Sequence, residues 1–201
     1  MHIIIDYGMG NLNSVQKGFE RVGLETEISS DIKKIKDAKS LVLPGVGAFR
    51  DAIQLLKDKE LFQVIIDEVS NGKPILGICL GMHLLYERSY EFGEYEGLGL
   101  ISGEISKMEI NLKVPHMGWN ALCFDQPNNR ILKHIQEGDY VYYVHSYYAK
   151  TQGNEVVAHS NYEVVVPGIV NFDNVYGIQF HPEKSGMVGH NILKGYKELI
   201  I

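Results

Sequence analysis

Cysteine is nearly absent from this chain: Cys79 and Cys123 are the only two among 201 residues. Two thiols supply neither a disulfide framework nor a zinc-ligand cluster, which points to a reduced protein. No apolar run approaches the roughly 18 residues of a membrane span. The first residues lead straight into a strand pattern and show no basic segment followed by a long apolar one, so no secretory signal is expected. Positive charge is in deficit, with 19 Lys and Arg against 25 Asp and Glu, a formal net charge of −6. That balance speaks against nucleic acid or an anionic membrane as the main partner. The eight histidines lack H-x-H or H-E-x-x-H spacing, so neither a metal nor a cofactor is expected. Repeats, low-complexity stretches and linker composition are all missing. The expectation is a cytoplasmic protein in which residues 1–201 form a single domain.

What is present is ordinary globular material, 45% hydrophobic and 22% charged, enough for one α/β domain that buries about 70% of its unfolded surface. Strand and helix patterns alternate in the first half. A strand over 2–5 is followed by a helix capped by Asn11 or Asn13, with Leu12, Val15, Phe19 and Val22 inward and Gly23 closing it. Strands are expected near 25–29 and 41–43, with a short basic helix near Lys33 between them. A helix is expected over 48–57, continuing after a break through Phe62, Ile65, Ile66 and Val69 to Gly72. Such a βαβ series implies a mostly parallel open sheet with helices on both faces. After Gly97 the pattern turns strand-rich, over 98–108, 113–124, 140–150, 155–160, 164–172 and 175–180. Asp173-Asn174 reads as a hairpin turn between the last two. Residues 186–201 read as a helix with Ser185 as its cap.

One of the two cysteines sits in an unusual place. Ile75, Leu76 and Ile78 form a buried strand that delivers Cys79 onto the first turn of a helix, with Gly77 and Gly81 two residues away on either side. G-x-C-x-G is the sulfur counterpart of the G-x-S-x-G nucleophile elbow, a sharp turn that exposes the reacting atom. Glycines suit it because a side chain would crowd the turn or the approaching substrate. A helix N-terminus favours an anion, hence a thiolate. Cys123, between Leu122 and Phe124, reads as packed.

A nucleophilic thiol needs a base. The segment from Val175 reads as a strand ending in His181-Pro182-Glu183. Pro182 biases His181 toward an extended conformation, which puts residues i and i+2 on one side. Glu183 can then orient the His181 imidazole and stabilise its cation while the other ring nitrogen faces the thiol. Alone, His-Pro-Glu could equally end a strand in solvent. With the cysteine elbow it completes a Cys79–His181–Glu183 triad.

G-I-C-L-G together with Q-F-H-P-E-K-S resembles the class I (triad) glutamine amidotransferases. Further segments carry the resemblance over nearly the whole chain: I-D-Y-G-M-G-N-L from Ile5, L-P-G-V-G-A-F from Leu43, P-H-M-G-W-N from Pro115 and Y-Y-V-H-S-Y from Tyr142. It implies a flavodoxin-like α/β fold with added antiparallel strands in the second half. It also implies hydrolysis of L-glutamine through a cysteinyl thioester. P-G-V-G and H-M-G-W-N narrow it to glutaminases that pass ammonia to a (β/α)₈-barrel cyclase in histidine biosynthesis. The products there are imidazole glycerol phosphate and aminoimidazole carboxamide ribotide. Anthranilate or pyridoxal phosphate formation is the competing destination for the ammonia, and a non-catalytic binding module the competing class.

The tetrahedral intermediates need two amide donors. One is expected from the backbone N–H of Leu80, the other from Val46 or Gly47 in the Pro44–Gly47 segment; losing one such donor typically costs about 100- to 1,000-fold in rate. The family usually has glutamine four residues after the cysteine, touching the substrate's amino-acid end; here that position is His83, shorter and stiffer. Glu91 matches a position near the substrate ammonium, though a solvated loop acid reads almost as well. Asn11, Trp119 and Lys184 are implied to face the partner subunit. Gly8-x-Gly10 is not a dinucleotide loop, because position 13 is Asn.

Overall fold

A computed structural model describes residues 1–201. Four short strands form the first part of its sheet: β1 (His2–Ile5), β2 (Thr26–Ser29), β3 (Ser40–Gly45) and β4 (Ile75–Cys79). They pair in parallel in the order β2-β1-β3-β4. Successive side chains on a strand point to opposite faces, and β1, β3 and β4 are buried at every position, so both faces must be covered. Ile3, Ile5, Leu41 and Leu43 pack on one face against α3 (Phe49–Asp58) and α4 (Leu61–Ser70). Ile4, Val42, Leu76 and Ile78 pack on the other against α1 (Leu12–Arg21) and α6 (Gly186–Ile200). The small α2 (Ile32–Asp37) closes the β2 edge of the first face, burying Ile35.

The second half of the chain extends this sheet and adds two smaller ones. β14 (Val175–Ile178) runs parallel to β4, and its antiparallel hairpin partner β13 (Val164–Phe172) lies outside it. Beyond β13 come β12 (Val156–Tyr162) and β9 (Cys123–Phe124), completing eight strands. A two-stranded ribbon pairs β8 (His116–Ala121) with β10 (Tyr140–His145). A four-stranded sheet has the order β11 (Tyr147–Lys150), β7 (Ile101–Lys107), β5 (Tyr86–Ser89), β6 (Tyr95–Glu96). No helix is long and apolar enough to cross a membrane.

Several local expectations hold. Asn11 caps α1 through its side chain, accepting from the Ser14 amide at 3.4 Å. The helix from Ala48 is broken at Lys59-Glu60, where Glu60 turns left-handed. Asp173-Asn174 forms the β13–β14 turn. Others are corrected. The helix after the elbow, α5, is only Leu80–Leu84, because the chain turns at once into β5; this strand and β6 are absent from the sequence reading. Their half-exposed, charge-bearing pattern (Tyr86 and Ser89 in, Glu87 and Arg88 out) hides the alternation. Residues 140–150 are two strands in different sheets, parted at Ser146. Ser185 makes no side-chain cap on α6. Its hydroxyl donates to the His181 carbonyl at 2.7 Å and accepts from the Tyr142 amide at 3.0 Å.

Two glycines allow α5 to sit on the sheet. A Cβ at Gly81 would land on the Leu43 carbonyl oxygen, and one at Gly77 would lie 2.5 Å from the Gly81 oxygen. Because β3, β4 and the first turn of α5 touch backbone to backbone, Gly81→Ala is expected to cost about 3 kcal/mol or more. Urea unfolding checks this; a loss under about 1 kcal/mol would mean that α5 can lift off the sheet.

Candidate active site

The elbow is visible in the backbone. Cys79 has φ 55° and ψ −112°, a positive φ that is a genuine outlier for a non-glycine residue and that persists only where the surroundings impose it. Here the imposition comes from β4, paired on both sides, and from the close contact of α5 with β3. Cys79 is buried, with Sγ 3.9 Å from the Val144 carbonyl oxygen at the end of β10. α5 has little more than one turn, so its dipole is a small contribution. The histidine carries more of the electrostatics.

β14 lies next to β4, with Ile178 opposite Ile78, so the chain leaving β14 carries His181 toward the thiol. The His181 amide donates to the Tyr142 carbonyl at 3.0 Å, and Ser185 ties the same two segments together. Glu183 begins its return in the single 3₁₀ turn Pro182–Lys184, with its carboxylate 2.9 Å from His181 Nδ1. Both side chains are nearly inaccessible, at 7% and 3%. Burial opposes the imidazolium, but the interactions with Cys79 and then with Glu183 outweigh it and raise the His181 pKa to about 9. His181 itself is extended as expected, with φ −99° and ψ 97°, but Pro182 and Glu183 are in the 3₁₀ turn, so Glu183 reaches the imidazole through that turn and not by the alternation of an extended chain.

A cavity of about 390 Å³ opens at the thiol. Its walls include Val46, Gly47, Cys79, Leu80, His83, Glu91, Phe92, Val144, His145, Ser146, Tyr147, His181 and Lys184. Gly45 stands opposite Cys79 in the sheet register, so the two residues that follow it flank the elbow. Val46 and Gly47 are both exposed, and Gly47 has φ 104°.

The two expected substrate contacts line the cavity, each with a second engagement. His83 Nε2 lies 2.7 Å from Gln179 Oε1, and burial lowers its pKa to about 4 against that hydrogen bond's opposing pull. The neutral ring therefore donates from Nε2 to Gln179, which leaves Nδ1 as an acceptor. Glu91 Oε2 accepts from the Phe49 amide at 2.7 Å, doing for α3 what Ala48 at the N-cap cannot. Burial raises the Glu91 pKa, that amide opposing, and Oε1 remains for another partner.

Of the expected partner-facing residues, Trp119 is 52% exposed on β8 and meets Tyr142 edge-on at 5.8 Å. Lys184 is exposed at the cavity rim, and Asn11 is exposed beyond Gly10, which itself packs on Pro44 and Gly45. Cys123 is half-buried on β9, and both cysteines are free.

Sequence reasoning missed His145, Val144 and Gln179. His145 has both nitrogens engaged: Nδ1 with the Tyr147 carbonyl at 2.8 Å and Nε2 with His116 Nδ1 at 2.9 Å. Burial first, and neighbouring imidazoles further, hold its pKa down to about 3 despite the Tyr147 bond. It is a wall and a brace, with no free nitrogen for proton transfer. The inward alternation of Val141, Tyr143 and His145 was the available signal.

A buried thiol, an imidazole held by a carboxylate and an open cavity together equip this site for acyl transfer through a thioester. The family profile "Glutamine amidotransferase class-I" matches residues 3–196. The chain belongs to that family and is a glutaminase. Full-length relatives make the assignment finer. A Geobacillus sp. (strain WCH70) protein named imidazole glycerol phosphate synthase subunit HisH is 50% identical, over 98% of this chain and 96% of its own. A Carboxydothermus hydrogenoformans protein of the same name is 48% identical over the whole of both. Among solved structures, one described as a glutamine amidotransferase aligns with TM-score 0.77 at 16% identity, covering 98% of this chain and 97% of its own. PurLQS from Thermotoga maritima aligns with TM-score 0.77 at 18% identity, covering 100% and 98%. These two show the shared fold.

Two expectations follow. Removing the thiol in Cys79→Ala should lower the His181 pKa from about 9 toward its ordinary 6.5, read by NMR titration. Because the folded value is the raised one, the stability that the imidazolium contributes is complete below about 6.5 and is lost as the pH rises through about 9. A titration still near 9 in the variant would show that the thiol does not hold the proton. His83→Gln should lower the glutamine KM about two- to tenfold, the worth of one further hydrogen bond. Unchanged KM and kcat would exclude a substrate contact at position 83.

Proposed function

We propose that Cys79 attacks the side-chain amide carbon of L-glutamine while His181, oriented by Glu183, carries the proton. The attack forms a tetrahedral oxyanion. Collapse expels ammonia, which takes its proton from the His181 imidazolium, and leaves a γ-glutamyl thioester on Cys79. Water then gives a proton to His181, attacks the thioester and releases glutamate through a second oxyanion. The Leu80 amide, with that of Val46 or Gly47, serves as the oxyanion hole. Glu91 Oε1 receives the substrate ammonium and His83 Nδ1 accepts a further donor from the amino-acid end. Residues 1–201 act as one glutamine amidotransferase domain.

The observation that carries this reading is the buried Cys79–His181–Glu183 line opening into one cavity. The relatives' shared name supports the destination: ammonia made here enters imidazole glycerol phosphate synthesis. We infer a cyclase partner of (β/α)₈-barrel fold, seated on the face that carries Asn11, Trp119 and Lys184. Trp119 and Met117, which is 60% exposed, are large apolar side chains on one edge of a ribbon whose inner face braces the cavity through His116 and His145. An anchor of that kind suits a partner contact. A free thiol nucleophile also calls for a reducing compartment, which fits the cytoplasm.

Glutamate release is expected to be low for the chain alone and strongly stimulated by the barrel with its nucleotide ligand. Cys79→Ala should abolish both rates. Equal rates with and without the barrel would reassign the chain to another synthase. Absence of activity in both conditions would remove the glutaminase reading of the site.

A further inference from the structure

The loop between β5 and β6 carries an aromatic side chain at odds with its surroundings. Phe92 is 78% exposed and its backbone is left-handed, with φ 57°. A bulky residue rarely adopts that conformation, and persistent outliers cluster at functional sites. The loop is firmly held on both sides. The Tyr90 amide donates to the Ile105 carbonyl at 2.9 Å, and the Glu91 carboxylate accepts from Phe49 at 2.7 Å. After Phe92, Glu94 pairs with Arg88 at 3.1 Å. A glycine or asparagine would satisfy this backbone with less strain and without placing a ring in water.

The cavity supplies a reason for the ring. Phe92 and Tyr147 both line it, their centroids 6.4 Å apart with the rings inclined at 59°. Glutamine has a charged amino-acid end and an amide, joined by two methylene groups. Those methylenes gain only where apolar surface covers them. Glu91, adjacent in sequence, offers a carboxylate to the ammonium, and Cys79 meets the amide at the other end. The aromatic pair borders the space in which the carbon chain must lie. Resting on the glutaminase reading above, we propose that Phe92, backed by Tyr147, is the apolar wall that covers the carbon chain of bound glutamine.

The test uses the complex with the cyclase, after its wild-type activity has been established. Phe92→Ala is expected to raise the glutamine KM about tenfold with kcat little changed, as loss of uniform binding requires. Phe92→Leu should restore most of the affinity. Phe92→Gly relieves the positive φ and should raise the Tm while still raising KM, a combination that a merely structural residue would not give. A KM within about twofold of wild type for both Ala and Gly overturns the proposal and leaves the glutaminase reading intact. So does weakened cyclase binding with an unchanged KM at saturating cyclase, which would make Phe92 an interface contact.

Discussion

The close approach of α5 to the backbone of β3 is the constraint on which the site depends. Gly81 rests against the Leu43 carbonyl and Gly77 against Gly81 itself. The helix can therefore begin one residue after β4 ends, and Cys79 is forced into a positive φ at the junction. A side chain at either glycine would lift α5, relax the turn and let the thiol swing away. The same contact brings the Leu80 side chain and the Gly81 amide against Gly45, the residue before Val46 and Gly47. The elbow residue is thus placed by backbone contacts, which move less than side chains.

The second half of the site is held by a different kind of bond. His181 lies beyond the end of β14, where the sheet no longer fixes the chain, and short polar links to Tyr142 take over. The His181 amide and the Ser185 hydroxyl each bond Tyr142, Ser185 also donates to the His181 carbonyl, and Glu183 takes one ring nitrogen, so the imidazole is held from its backbone and from its ring. The other nitrogen is left for the sulfur. Burial alone would have kept His181 neutral, as it does His83 and His145. Cys79 on one side and Glu183 on the other reverse that result.

β10 links the site to the outer surface. Its Val144 carbonyl touches the sulfur region, while Tyr142 meets Trp119 on the neighbouring strand. On the inner side of the ribbon His116 lies between the rings of Tyr143 and Tyr162, with centroids 4.7 and 3.9 Å away, and braces His145. A force on the β8 face would have packed aromatic rings and imidazoles to pass through before reaching the cavity. Such chains transmit displacement well because interiors are dense and have few voids.

The sequence by itself determined the alternating elements of the first half, the elbow, the His-Pro-Glu pairing and the family. Each of these rests on spacing within a few residues: glycines two positions from a cysteine, a proline restricting its predecessor, apolar residues at strand or helix period. It was less informative where strands are short, edge-lying and charged, as in β5 and β6. Only the tertiary structure decided which groups meet across long separations. His83 finds Gln179 across 96 residues and Cys79 finds the Val144 carbonyl across 65. Those meetings depend on β14 inserting beside β4, a choice of neighbour that local periodicity cannot encode. In the observed order the apolar rows of the sheet are covered on both faces, a long-range condition that no short window of sequence contains.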